Sequence, residues 1–255
     1  MSAIVIKDAS RVFYSKAHPE GLVAFQDVTF DVPYGQFVSF LGPSGCGKST
    51  LLNILAGLDK EATGQIEIAG ESVLSTAGQR SSSISFVFQD PRLLPWLSVE
   101  KNIHFALGSA GVPREEWAER SSMWLERVHL ERFHKAYPHE LSGGMRQRVA
   151  LARAFAVDAD VLLMDEPFSG LDEFTARDMR EQLLELWIQT GKTIVFVTHN
   201  SFEASFLSDR ILAFSPRPGR VSYDMPIDIP RPRNYESAEL FELSNQVARS
   251  LSKPL

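Results

Sequence analysis

The stretch QFVSFLGPSGCGKSTLLNILAGL, residues 36–58, decides how the rest of the chain is read. Residues 36–41 are rich in β-formers, and residues 49–58 carry the apolar pattern of a helix. Between them, GPSGCGKST (42–50) matches the spacing G-x-x-x-x-G-K-[ST] in the strand-to-helix context that gives this spacing its meaning. Gly42, Gly45 and Gly47 let a loop, completed by Pro43, Ser44 and Cys46, wrap with its N–H groups inward. The start of the helix adds the positive end of its dipole. Lys48 then reaches the β- and γ-phosphates of a nucleotide, the Ser49 hydroxyl ligates Mg2+, and Thr50 serves the α-phosphate side. The plain alternative is a glycine-rich turn with an exposed lysine, and the flanking strand and helix argue against it.

Working outward, short β-like runs alternate with helical patterns. SISFVFQ (83–89), VLLMDE (161–166) and TIVFVTH (193–199) are compact apolar runs that end in polar residues. Buried parallel strands with chemistry at their C-terminal ends have that composition. Asp165 is placed to hold the Mg2+ shell, and Glu166, pointing elsewhere, to polarise an attacking water as general base. Gln89 offers both a donor and an acceptor for Mg2+ or that water, and His199 a hydrogen bond to the γ-phosphate that also orients Glu166. GQIEIAG (64–70) alternates as an exposed antiparallel strand does, and residues 91–140 read as a helical insertion with Pro and polar turns. After 214 the chain is Pro-rich with two short strand candidates, and Leu240, Leu243, Val247 and Leu251 mark a terminal helix over 235–251 that packs on its own domain.

LSGGMRQRVALARAF (141–155) has the build of a second anion site, a serine and two glycines ahead of a helix. Met145, Val149, Ala152 and Ala156 form its apolar stripe, with Arg146 and Arg153 on another face. Residues 42–50 already wrap one nucleotide, so a second cradle serves the same γ-phosphate only from the far side. A second copy of the chain in a two-fold dimer is the simplest source.

These residues bring the sequence to a family. The loop at 42–50, Gln89, LSGGMRQ, VLLMDEP, SGLD (169–172) and His199 stand in the order and spacing of ATP-binding cassette ATPases, which the chain resembles over nearly its whole length. Gly170 stands where relatives commonly have Ala, and Asp90 where Glu is usual. The resemblance implies an α/β fold: a P-loop NTPase (RecA-like) mixed sheet with an antiparallel β subdomain and an inserted helical subdomain. It divides the chain into a core with the β subdomain at 1–90 and 157–215, a helical subdomain at 91–156 and a short tail at 216–255. It implies ATP and Mg2+ as ligands, and a head-to-tail nucleotide-sandwich dimer in which Ser142, Gly143 and Gly144 face the ATP on the other copy's Lys48, with Asp172 aligning the two copies. Phe13 matches the adenine-stacking position, with Tyr14 as a rival.

FQDPRLLPWLSVEKNI (88–103), MDEPFSGLD and the tail SPRPGRV…IDIPRPR are similar to the ATPase subunits of bacterial importers for nitrate, sulfonates, taurine and related nutrients. That implies membrane permease subunits as partners, a periplasmic or extracellular substrate-binding protein beyond them, and a peripheral position on the cytoplasmic face of the inner membrane. An exporter ATPase, a non-transport cassette protein and a P-loop kinase or GTPase are the other classes; the signature at 141–147 disfavours the last. Leu93, Leu94 and Trp96 form an apolar cluster that suits contact with a permease, the alternative being that Trp96 is core of the helical lobe.

Composition sets the outer limits. A chain of 255 residues with 44% hydrophobic and 23% charged residues is an ordinary globular domain. A net charge of −6 argues against nucleic acid as partner. The single Cys46 excludes an internal disulfide and fits a reducing compartment. Its place at a helix start raises the prospect of a reactive thiol. MSAIVIKDAS shows no basic segment leading into an apolar core, so no secretory leader is expected. His129, His134 and His139 are spaced by five and interrupted by Pro138, which does not suit a zinc site.

Overall fold

The structure is a computed structural model that describes residues 1–75 and 84–252. It divides into two compact units, Met1–Ser81 with Lys192–Leu255, and Ser82–Gly191.

The first unit opens with β1 (Ser2–Ser15) and β2 (His18–Pro33), then β3 (Phe37–Leu41), α1 (Lys48–Leu55), β4 (Thr63–Ile68) and β5 (Glu71–Ser72). The antiparallel sheet runs β2-β1-β4-β5. Ile4 and Ile6 on β1 and Ile66 and Ile68 on β4 are buried, as period-two alternation dictates, and so are Phe25, Val28 and Val32 on β2, where the register shifts. The long β1–β2 hairpin is an element that the sequence pattern alone did not single out. Arg11, itself buried, pins it to the loop after α1 through Asp59 at 2.9 Å and Glu61 at 2.7 Å.

The second unit runs through β6 (Ile84–Val87), α2 (Val99–Ser109), α3 (Trp117–Arg127), α4 (Gly143–Ala156), β7 (Val161–Asp165) and α5 (Glu173–Thr190). Strand β6 pairs in parallel with β7. The expected start of that strand at residue 83 lies outside the described residues. The helical stretch foreseen over 91–140 holds α2 and α3, with short 3-10 turns before and after α3.

The chain then returns to the first unit with β8 (Thr193–Thr198), α6 (Ser201–Leu207), β9 (Arg210–Phe214), β10 (Val221–Pro226) and α7 (Ala238–Ser252). Strand β3 is buried over all five residues and lies parallel between β8 and β9, while β10 closes that edge antiparallel to β9. An apolar run buried on both faces is the form that parallel strands take. Of the two strands expected after residue 214, only Val221–Pro226 forms; beyond it, Pro230 and Pro232 lack the N–H that a further ladder needs.

Helix α7 packs on its own unit as expected. Val247 joins Leu41, Ala204, Ile211 and Ile227 in one apolar cluster, flanked by Leu243 and Leu251. The segment leading to it is fastened by arginines. The buried Arg233 donates to the carbonyls of Ser205, Phe206, Ser208 and Ile229 at 2.7–3.0 Å, closing the C-terminal end of α6. Desolvation lowers its pKa to about 10, so it stays charged at neutral pH. Replacing Arg233 by Ala leaves those buried carbonyls short of donors. It is expected to cost about 2–4 kcal/mol in a urea unfolding series, with the midpoint falling at unchanged slope.

Candidate functional site

Within the first unit, the parallel register sets Leu41 opposite Thr198. The loop starting at Gly42 and the residue His199 therefore leave neighbouring strands at the same, C-terminal edge. The loop has the backbone that the motif requires: Gly45 and Gly47 lie at φ +80° and +97°. Gly47 precedes α1 without a side-chain cap, and no acidic residue occupies the first turn, which suits the helix start to an anion. The buried Lys48 folds its ammonium back over the loop, donating to Gly42 O at 2.8 Å and Pro43 O at 2.9 Å. Ser49 is exposed at the first turn and Thr50 is half-buried. This is a cradle shaped for phosphates.

Cys46 is fully buried, with the Lys48 ammonium 3.5 Å from its sulfur. A thiol withdrawn from water fills space under the loop, so the reactive role raised from its position is not supported. His199 follows β8 and is exposed; after it Asn200 caps α6, accepting from Phe202 and Glu203 N–H groups. Thr198 donates to the buried Glu203 carboxylate at 2.5 Å, which fixes the backbone next to His199. On β1, Phe13 carries the Arg11 guanidinium 4.2 Å over its ring, a cation–π contact that holds the ring in place. The neighbouring Tyr14 is 73% exposed.

Within the second unit, Val87 pairs with Met164, so Gln89 and the pair Asp165–Glu166 also leave adjacent strands at one edge. Glu166 has φ +43°, the left-handed region that a side chain rarely adopts. Its carbonyl accepts from the Ser169 hydroxyl at 2.8 Å and N–H at 3.1 Å, which ties the turn. The segment after Gln89 is fastened from within. Arg153 donates to Pro91 O and Arg92 O at 2.7 and 2.9 Å, and Arg92 lies 3.9 Å over the Phe88 ring. Burial lowers the Arg153 pKa. The buried Asn102 bonds to Leu94, Leu97 and Ser98 through both ends of its amide. These fasteners lay beyond sequence reasoning, since Asn102 has no motif around it. Trp96 is 70% exposed, so it is not part of the core of the helical lobe, while Leu93 and Leu94 are half-buried.

Ser142 caps α4 by accepting from Met145 N–H at 3.2 Å. The helix foreseen after LSGG is present, with Val149, Ala152 and Ala156 buried. The two glycines differ. A Cβ on Gly143 would meet nothing closer than Leu171 at 3.9 Å, whereas one on Gly144 would meet Thr175 Cγ2 at 2.6 Å. Thr175 belongs to the first turn of α5, whose cap is Asp172, accepting from Thr175 N–H at 3.0 Å. That bond, with a further one from the Thr175 hydroxyl, holds the Asp172 carboxyl below its ordinary value of 3.8.

The chain belongs to the ATP-binding cassette ATPases of ABC transporters. The family model described as ABC transporter matches residues 25–169, more than half of the chain. The aliphatic sulfonates import ATP-binding protein SsuB of Bacillus cereus is 42% identical over 228 residues, covering 89% of this chain and 88% of that protein. The taurine import ATP-binding protein TauB of Rhizobium johnstonii is 45% identical over 224 residues, covering 88% and 84% respectively. A dimeric ATP-binding cassette in a post-hydrolysis state, bound to ADP and Pi, superimposes with a TM-score of 0.77 at 32% identity, covering 89% of this chain and all of that one. The chain is therefore an ATPase with the α/β fold expected of it. Among the described residues no helix is long and apolar enough to cross a membrane.

Two predictions follow from the second unit. Gly144→Ala is expected to lower unfolding free energy by about 1–3 kcal/mol through overpacking against Thr175, and Thr175→Ser to recover most of that loss; Gly143→Ala should stay within about 0.5 kcal/mol of the parent. The Asp172 carboxyl, followed by NMR, is expected to titrate below 3.8. Its support of α5 is complete above that value and is lost as the pH falls through the lower folded-state midpoint.

Proposed function

We propose that this chain is the ATP-hydrolysing subunit of a bacterial membrane importer for a small anionic nutrient of the sulfonate or taurine kind. The observation that carries the reading is the likeness, over 84–88% of their length, to proteins named for import of those compounds. The phosphate cradle supplies the chemistry to go with it.

In this reading the N–H groups of the loop 42–50 and the Lys48 ammonium take the triphosphate, and Phe13, already held by Arg11, stacks on adenine. The oxygens of Ser49, Gln89 and Asp165 would hold Mg2+; hydroxyl, amide and carboxylate are the hard donors that this ion takes. When bound, it neutralises charge on the β- and γ-phosphates. Glu166 accepts the proton of the attacking water, and His199 hydrogen-bonds the γ-phosphate and orients Glu166. The strained backbone at Glu166 suits a base whose direction matters more than its comfort.

A second copy completes each site. Ser142, Gly143 and Gly144 of one copy meet the γ-phosphate held by the Lys48 of the other, and Asp172 stands at the join. ATP closes this head-to-tail dimer, and hydrolysis with product release opens it. The motion passes through the Gln89 segment to permease subunits, to which Trp96 with Leu93 and Leu94 offers an apolar surface. The subunit sits on the cytoplasmic face of the membrane, and a binding protein on the far side delivers the nutrient.

Glu166→Gln tests the base. Hydrolysis should fall by about 10²–10⁴-fold while ATP traps a dimer visible by size-exclusion chromatography. Rapid multiple turnover by that variant refutes the assignment. Ser142→Arg tests the second copy: the monomer should bind a fluorescent ATP analogue with parent-like affinity yet neither dimerise nor hydrolyse. Loss of binding by the monomer would show that the signature acts on its own nucleotide instead.

A further inference from the structure

The turn SPRPGR, residues 215–220, follows β9 in the first unit and has no part in the chemistry above. It is a closed structure of its own. Ser215 N–H donates to Arg220 O at 2.9 Å, and the Ser215 hydroxyl accepts from Arg220 N–H at 3.1 Å. The turn is also seated against the phosphate-binding loop. Arg217 Nε donates to Gly45 O at 3.1 Å. Gly219 pairs with β2 on both its polar groups, its N–H to Ala24 O at 3.0 Å and its carbonyl from Gln26 N–H at 2.9 Å. A Cβ on Gly219 would lie 1.9 Å from Cys46 O, so the two backbones touch and only glycine fits. Arg220 adds an ion pair to Asp27 on β2 at 3.2 Å.

The same loop is confined at two further points. A Cβ on Gly42 would come within 2.8 Å of Phe214 O, and one on Gly47 within 2.8 Å of Ala24 O. The loop is thus held between β2 and the end of β9, with the turn filling the gap at Gly45 and Cys46. The peptide joining these two residues is planar, with its carbonyl and N–H pointing opposite ways. A guanidinium that holds the Gly45 carbonyl therefore directs the Cys46 N–H away from itself. That N–H makes only a long bond of 3.4 Å to Pro43 O, so it remains a donor to spare. A charged donor on the carbonyl also polarises the peptide and strengthens its N–H.

We propose that the turn 215–220 is a brace for the phosphate-binding loop, and that Arg217 is a positioning residue for the nucleotide phosphates, acting through the Gly45–Cys46 peptide. Arg217 does not itself touch the phosphates. The proposal rests on the reading of residues 42–50 as the phosphate site and adds a residue 172 positions beyond Gly45 to it.

The test is made on the full chain with Arg217→Ala, Arg217→Lys and, as reference, Lys48→Ala. Binding of a fluorescent ADP analogue and steady-state hydrolysis of MgATP are measured, together with thermal unfolding without nucleotide. Arg217→Ala is expected to weaken analogue binding and raise KM by about three- to tenfold, with kcat within about twofold and the nucleotide-free melting temperature unchanged. Arg217→Lys, which keeps a charged donor, should recover part of the loss. Unchanged binding and KM in Arg217→Ala overturn the bracing role, as does a loss matched by a lower nucleotide-free melting temperature. Lys48→Ala separates the two levels. If it binds the analogue as tightly as the parent, the phosphate reading of the loop itself fails; if it alone is weakened, only the role of Arg217 fails.

Discussion

The parallel ladder between β3 and β8 is the constraint on which the first unit depends. Once Phe37 is set opposite Ile194, every later pair is fixed, and the ladder ends with Leu41 beside Thr198. A one-residue slip would turn each buried side chain to the other face. It would also part the phosphate loop from His199, because each is joined directly to its strand end. Burial on both faces makes such a slip costly, so the stability of the core and the geometry of the site are the same quantity here. The pairing of Val87 with Met164 does the same for Gln89 and Glu166 in the second unit.

Around these ladders the backbone approaches itself closely where chemistry is expected. Gly42, Gly47 and Gly219 each leave no room for a side chain because a carbonyl stands there. Glu166 goes further and holds a full side chain in the left-handed region. Such conformations persist only when the surroundings over-determine them. At Glu166 the surroundings include two bonds from Ser169 to its carbonyl. A turn made rigid in this way has little conformational entropy left to lose.

The parts of the site that were legible in the sequence are those written in covalent spacing. Residues 42–50 declare their loop because three glycines, a lysine and the hydroxyls of Ser49 and Thr50 occur in fixed order, and the strand-end residues declare themselves because an apolar run stops at them. The signature 141–147 is likewise local, and so is the cap that Ser142 provides. What stayed hidden depends on distant residues meeting. Gly144 needs to be glycine because Thr175 lies against it, and Gly219 because Cys46 does; no local pattern contains either partner. Asn102 carries four hydrogen bonds without any motif, and the β1–β2 hairpin is irregular, with register shifts that blur its alternation. The second strand expected after residue 214 does not form, because Pro230 and Pro232 lack the N–H that a further ladder needs.

The net charge sets a last question, since a chain of net charge −6 is read as binding a polyanion. Salt resolves it. At physiological ionic strength charges separated by more than about 8 Å are largely screened, so the overall balance exerts little force at the loop. What acts there is local: the Lys48 ammonium, the uncapped N–H groups at the start of α1, and a first turn free of acidic side chains. The ammonium donates to the carbonyls of Gly42 and Pro43, so the loop's own backbone holds it in place. The same logic explains why the Arg217 guanidinium stands at the outer side of the loop. There it satisfies the Gly45 carbonyl from an exposed position.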